Sequence, residues 1–155
     1  MKKMNKKGFT LIELLTVIAI LAVILLIAAP TILGVLDKAK KSTFKNQVLM
    51  YVESLKTQVA LNSMGQSDMD TADLSFTTTG EGEQAKTTAT VDVTKIPMDS
   101  QGLTSGTITV TAGANGKYTY ALTKVTDGSY CVTGVTDVTS DTDFTTEKIT
   151  SGNCQ

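Results

Sequence analysis

From Leu14 to Leu36 the chain reads LLTVIAILAVILLIAAPTILGVL, with no charged residue. About 20 helical residues cross a bilayer core of roughly 30 Å, so this run is long enough to span one. Apolar residues occupy every side of the helix it would form. A chain of 155 residues cannot enclose such a helix in its own core. The run therefore predicts a membrane span, against the alternative of a buried core helix. An ordinary secretory signal peptide fits poorly, because its apolar part is about 7–15 residues and ends at a small-residue cleavage site. Here Ala28-Ala29 leads into Pro30 and then into further apolar residues.

The flanks place the span less clearly than its interior does. Lys2, Lys3, Lys6 and Lys7 precede it; Lys38, Lys40, Lys41 and Lys45 follow it. Acidic residues count for little in the positive-inside rule, so the two flanks nearly balance. Cysteine usage is more informative. Cys131 and Cys154 are an even pair in a small polar region, which suits a disulfide outside the cytoplasm; two free thiols are the alternative. This predicts an N-terminus inside and a C-terminal domain outside.

Composition removes several classes of function. With no His, the chain has neither a Ser-His-Asp nor a Cys-His catalytic arrangement, and most zinc sites are unavailable. Aromatics make up 5% of the chain, too few for an extended base-stacking platform. Without the first eight residues, ten Lys would face fifteen Asp and Glu, a side-chain balance of −5. That balance disfavours general electrostatic binding to nucleic acid.

One carboxylate, Glu13, stands at the entrance to the apolar run. A charge at the centre of a bilayer costs about 2.5–3.5 kcal/mol on insertion scales, and less near an end, where the side chain can snorkel. The stretch around it, KKGFTLIELLTVIAILAVILLIAAP from Lys6 to Pro30, resembles the class III signal of type IV pilins and pseudopilins. The likeness rests on a basic leader, Gly-Phe-Thr-Leu, a Glu five residues after the Gly and a long apolar tail. It covers about the first sixth of the chain.

The resemblance implies several things. A membrane-embedded prepilin peptidase would cut between Gly8 and Phe9, and Phe9 would become an N-methylated terminus. Glu13 would be the fifth mature residue, meeting the Phe9 amine of a neighbouring subunit and setting register during assembly. Opposite charges about 4 Å apart attract strongly when water is partly excluded. Pro30 matches a position where family helices bend, and Gly34 weakens the same region by roughly 1 kcal/mol. The implied partners are further copies of the chain, other pilins, the peptidase, and the assembly platform with its ATPase. The membrane holds the precursor beforehand. A disulfide near the C-terminus, here Cys131–Cys154, would bound a surface loop over 133–153.

Beyond Leu36 the helix is expected to continue with a different character. Phe44, Val48, Tyr51, Val52, Leu55 and Val59 recur at steps of three and four. Lys45, Asn46, Glu53, Lys56 and Gln58 are assigned to the opposite, polar face. From Phe9 to Asn62 such a helix would measure ~80 Å at 1.5 Å per residue, with Gly65 as its stop.

The second half is rich in Thr and reads as β-structure. Short partly alternating runs lie at 87–93, 106–112, 117–124 and 129–135, with one more at 74–78 inside a polar connection over 66–86. Asn115-Gly116 predicts a type I′ hairpin and Asp127-Gly128 another tight turn. The tail after Val135 carries no strong pattern. The expected fold is α+β, a long N-terminal α-helix packed through its amphipathic half against a small antiparallel sheet. Its parts are a cleaved leader over 1–8, a membrane or filament-core helix over 9–36, an amphipathic half over 37–62 and a β-rich head over 63–155.

Asp68, Asp70 and Asp73 form one acidic group and Asp137, Asp141 and Asp143 another. Some pseudopilins bind Ca²⁺ near the C-terminus, but neither group has the spacing of a dedicated Ca²⁺ loop. Asp is also an ordinary turn residue. Glu81 and Glu83 sit in a Gly-containing loop, a poor place for paired acid/base work. No catalytic site, metal site, cofactor or small-molecule substrate is expected. The expected product is a surface fibre for adhesion or motility, with a minor pilin or a secretion or DNA-uptake pseudopilin as the alternative. A plain membrane-anchored binding domain would need neither the leader nor Glu13.

Overall fold

The computed structural model describes residues 9–81, 85–98, 102–113, 116–138, 144–152 and 154. Helix α1 spans Leu11–Ser63. Six strands follow among the described residues: β1 (Thr77–Thr79), β2 (Lys86–Asp92), β3 (Ser105–Ala112), β4 (Tyr118–Thr126), β5 (Tyr130–Val132) and β6 (Ile149–Ser151). The protein is α+β. The chain divides into two compact units, Met1–Ala39 and Lys40–Gln155.

In the first unit α1 is apolar on all sides and meets no core. Leu11 is 84% exposed and Leu26 79%. The helix is long and apolar enough to cross a membrane by length and composition. Thr16 returns its hydroxyl hydrogen to the Ile12 carbonyl at 2.8 Å, so this polar group needs no external partner.

In the second unit the 3–4 spacing of apolar residues on α1 becomes a buried face. Phe44, Val48, Tyr51, Val52, Leu55 and Val59 join one core with Ala89 and Val91 of β2, Ile108 and Val110 of β3, and Tyr120 and Leu122 of β4. The strands alternate so that these residues share one side of the sheet. Burying each Val, Leu, Ile or Phe among them contributes roughly 1.5–3 kcal/mol against leaving it in water. Burial also pushes the Tyr120 hydroxyl up to about 12, with Tyr118 and Glu53 adding in the same direction.

The α1 C-terminus is closed by the geometry its glycine permits. Gly65 lies at φ +71°; its N–H donates to Asn62 O at 3.1 Å, and the Gln66 N–H donates to Leu61 O at 2.9 Å. These two bonds form a Schellman motif, which satisfies carbonyls the helix leaves open.

The sheet is an antiparallel meander in sequence order, β1 to β6. Val91 faces Ile108, which faces Leu122; Ala89 faces Val110, which faces Tyr120. A register shift between Ser105 and Thr107 marks a bulge. Gly106 sits there at φ +131°, where a Cβ would lie 2.5 Å from Val125 Cα and 2.7 Å from the Lys124 carbonyl. Only glycine fits both the conformation and the space.

Four features differ from the sequence reading. Gln58, assigned to the polar face, is buried; its Oε1 accepts from Ser67 Oγ and from the Asp68 N–H, each at 2.9 Å. An amide on the buried face is tolerated because it ties down the chain leaving the helix. The strand expected at 74–78 is instead Thr77–Thr79, while Leu74 is buried in the core.

The β3–β4 connection is the third difference. Gly113 N–H donates to Lys117 O at 2.8 Å, and Gly116 N–H to Gly113 O at 3.2 Å, with Gly116 at φ +68°. This is the three-residue hairpin form, in which a left-handed glycine rejoins the strand, rather than a two-residue type I′ turn. Asn115 itself lies outside the described residues. Finally, the tail supplies β6, which pairs along β5 from Tyr130↔Ser151 to Val132↔Ile149.

Candidate functional site

The residues singled out by sequence fall in three places. Gly8 and the leader lie outside the described residues. Phe9 precedes α1 and is 92% exposed. Glu13 occupies the first turn of α1.

Thr10 and Glu13 form a reciprocal pair at the start of the helix. The Thr10 N–H donates to Glu13 Oε2 at 2.8 Å, and the Thr10 hydroxyl donates to the same oxygen at 2.7 Å. The Glu13 N–H approaches Thr10 Oγ1 at 3.3 Å. This is a capping box, in which residues three apart satisfy each other's open backbone groups. Thr10 is not among the site residues named from sequence, although Thr10-Leu11-Ile12-Glu13 is the S/T-x-x-E pattern in plain form. A carboxylate near a helix N-terminus is also favoured by the backbone dipoles.

The capping contacts fix where the carboxylate stands without exhausting it. Both Thr10 donors fall on Oε2, and a carboxylate offers about four lone-pair sites. Glu13 can therefore cap its own helix and still accept a further donor. A cationic donor would make the stronger, charge-assisted kind of bond.

Pro30 and Gly34 both lie inside α1. Pro30 has no N–H, so the carbonyl four residues earlier, on Leu26, loses its helical partner there. A Cβ built at Gly34 would meet nothing within 4 Å. Inside this chain, nothing packs closely enough to require the missing side chain.

Cys131 and Cys154 are joined in a disulfide, with their Cα atoms 5.3 Å apart. Cys131 belongs to β5, and the bridge sits beside β6, whose end is also held by the Gly152 N–H donating to Ser129 O at 2.7 Å. The acidic groups serve local structure where they are described. Asp70 Oδ1 accepts from the Ala72 N–H at 3.0 Å, and Asp73 faces Lys95 at 3.8 Å. Asp141, Asp143 and Glu83 lie outside the described residues. Among those described, no group of three or more metal-ligating side chains is assembled.

The family model describing the prokaryotic N-terminal methylation motif matches residues 3–29. These residues carry the class III signal of type IV pilins and pseudopilins. No curated protein and no solved structure matches the chain.

Proposed function

We propose that the chain is a structural pilin, held in the membrane as a precursor and polymerised through α1 into a surface fibre. The observation that carries this reading is the coincidence of the methylation motif with an apolar helix surface that the chain leaves uncovered. The precursor would sit with its N-terminus inside and its β-rich unit outside. A prepilin peptidase would cut after Gly8, and Phe9 would be methylated. The membrane lipids around the apolar half would then be exchanged for neighbouring subunits, delivered by the assembly platform and its ATPase.

Glu13 would act at that exchange. Cleavage creates an amine at Phe9, and the carboxylate already oriented by Thr10 would receive this amine from a neighbour. Pairing removes two charges from an apolar surrounding that is costly for either alone. The contact is possible at one stagger of the helices, so it would set the register. Pro30 and Gly34 would form a soft section, because one lacks a backbone donor and the other a side chain. The reading assigns no catalysis to the chain.

Replacing Glu13 tests this directly. Glu13→Ala should insert in the membrane and be processed after Gly8, yet yield few sheared fibres. Normal fibre yields would overturn the register role. Electron microscopy with an antibody to the β-rich unit separates the related readings. Labelling along the shaft is expected for the main subunit. Labelling only at tips would assign the chain to a minor pilin, and absence of surface fibres to a short pseudopilin filament.

A further inference from the structure

We propose that a groove in the Lys40–Gln155 unit, with Lys40 and Asp127 on its walls, binds the phosphoethanolamine headgroup of a membrane lipid in the precursor state. The proposal rests on the membrane-inserted reading above and adds a ligand to it.

The groove has a volume of about 360 Å³. That lies in the range of small-molecule sites, roughly 300–1,000 Å³. On one side Lys40 and Thr43 project from α1; on the other stand Asp127 and Ser129 of the β4–β5 turn, Tyr130 of β5 and Ser151 of β6. The walls thus combine one cation, one anion, hydroxyls and an aromatic ring.

The charges are presented differently. Asp127 is held by its turn: Oδ1 accepts the Ser129 N–H at 2.8 Å and the Tyr130 N–H at 2.7 Å. These bonds orient the carboxylate of a residue that lines the groove. Lys40 brings an ammonium on a flexible stem, with three donors. The Tyr130 ring is anchored on the buried Phe44 ring, with centroids 6.2 Å apart, and so gives the groove a firm wall.

Charge complementarity selects the class of ligand. A simple anion would satisfy Lys40 and be repelled by Asp127; a simple cation would do the reverse. A zwitterion with its charges a few bonds apart meets both. A phosphate suits the lysine, and a primary ammonium suits the carboxylate because it has N–H groups to donate. A trimethylammonium has none, so phosphocholine would lose that contact. Phosphoglycerol would bring no cation to Asp127.

The chain itself argues for a lipid source. Lys40 stands four residues after Leu36, the last residue of the apolar run. Four residues reach at most about 14 Å, whatever their conformation. The polar layer on each side of a bilayer core is roughly 5–8 Å thick. Lys40 is therefore tethered at or just above the headgroups when the apolar run is in the membrane.

The test uses the full-length protein inserted in nanodiscs of phosphatidylcholine alone, or with an equal fraction of phosphatidylethanolamine or phosphatidylglycerol. Native mass spectrometry reads the lipids retained on ejection. Phosphatidylethanolamine should be retained about tenfold over the other two, the effect of one charge-assisted hydrogen bond. Asp127→Asn should abolish that preference while keeping an Oδ1 acceptor for the turn, and Lys40→Gln should lower retention of all three lipids. Lys56→Gln, on α1 outside the groove, should leave both intact. Equal retention of the three lipids overturns the proposal, as does a preference that survives Asp127→Asn or a retention that Lys40→Gln leaves unchanged. Retention of soluble phosphoethanolamine without the lipid, or cross-linking of Lys40 to a second copy, also overturns it. Failure to co-elute with discs of any composition would instead count against the membrane-inserted precursor.

Discussion

At the scale of single residues, Gln58 shows how polarity conceals position. It follows Val48, Tyr51 and Leu55 at steps of three and four, so its place on the buried face is written in the spacing. Its amide pointed the sequence reading to the opposite face. The structure resolves the conflict, because Gln58 Oε1 receives Ser67 and Asp68 where the chain turns away from α1. Gln58→Leu keeps the volume and removes the acceptor. It should destabilise the Lys40–Gln155 unit by about 1–2 kcal/mol, since two donors lose their partner. Thermal unfolding of the full chain in detergent checks this, and an unchanged midpoint would show that water replaces the amide. Thr10 is the converse case. Its pattern with Glu13 was fully legible, but the apparent anomaly of a charge beside an apolar run drew the reading to Glu13 alone.

At the scale of elements, α1 was the most legible part of the chain. Its apolar run, its change to a one-sided pattern after Lys38 and its glycine stop are all local signals, and local signals survive in sequence. The central strands were legible for the same reason, as β-branched runs punctuated by glycine. β6 was not. Ile149–Ser151 is three residues long, and its strand character comes from pairing with β5 and from the bridge beside it. Such long-range causes leave no local pattern. The bridge should matter accordingly. It closes a separation of 23 residues, for which the chain-entropy account gives about 3 kcal/mol. Cys154→Ser should lower the unfolding midpoint by several degrees and speed amide exchange in β6 ahead of β3 and β4. Equal exchange in all three strands would mean that β6 is held by pairing alone.

At the scale of the whole molecule, the two units pose different physical problems. Lys40–Gln155 buries its apolar residues in one core. The described residues of Met1–Ala39 leave apolar side chains exposed on every side and need an apolar surrounding to cover them. Hydrophobic surface on this scale marks an interaction site in a functional protein. The fold of the first unit was plain in the sequence, while the identity of what covers it rests on the short motif over residues 3–29. The β-rich unit carries no comparable motif, because its pattern serves the sheet and core and nothing beyond them.

The central claim is that the helix becomes an assembly element once the leader is removed. Intact-mass and N-terminal peptide mass spectrometry of the protein from its native membranes tests this most directly. The account predicts a chain beginning at Phe9 and carrying one N-methyl group. A chain that still begins at Met1 or Lys2 would contradict it.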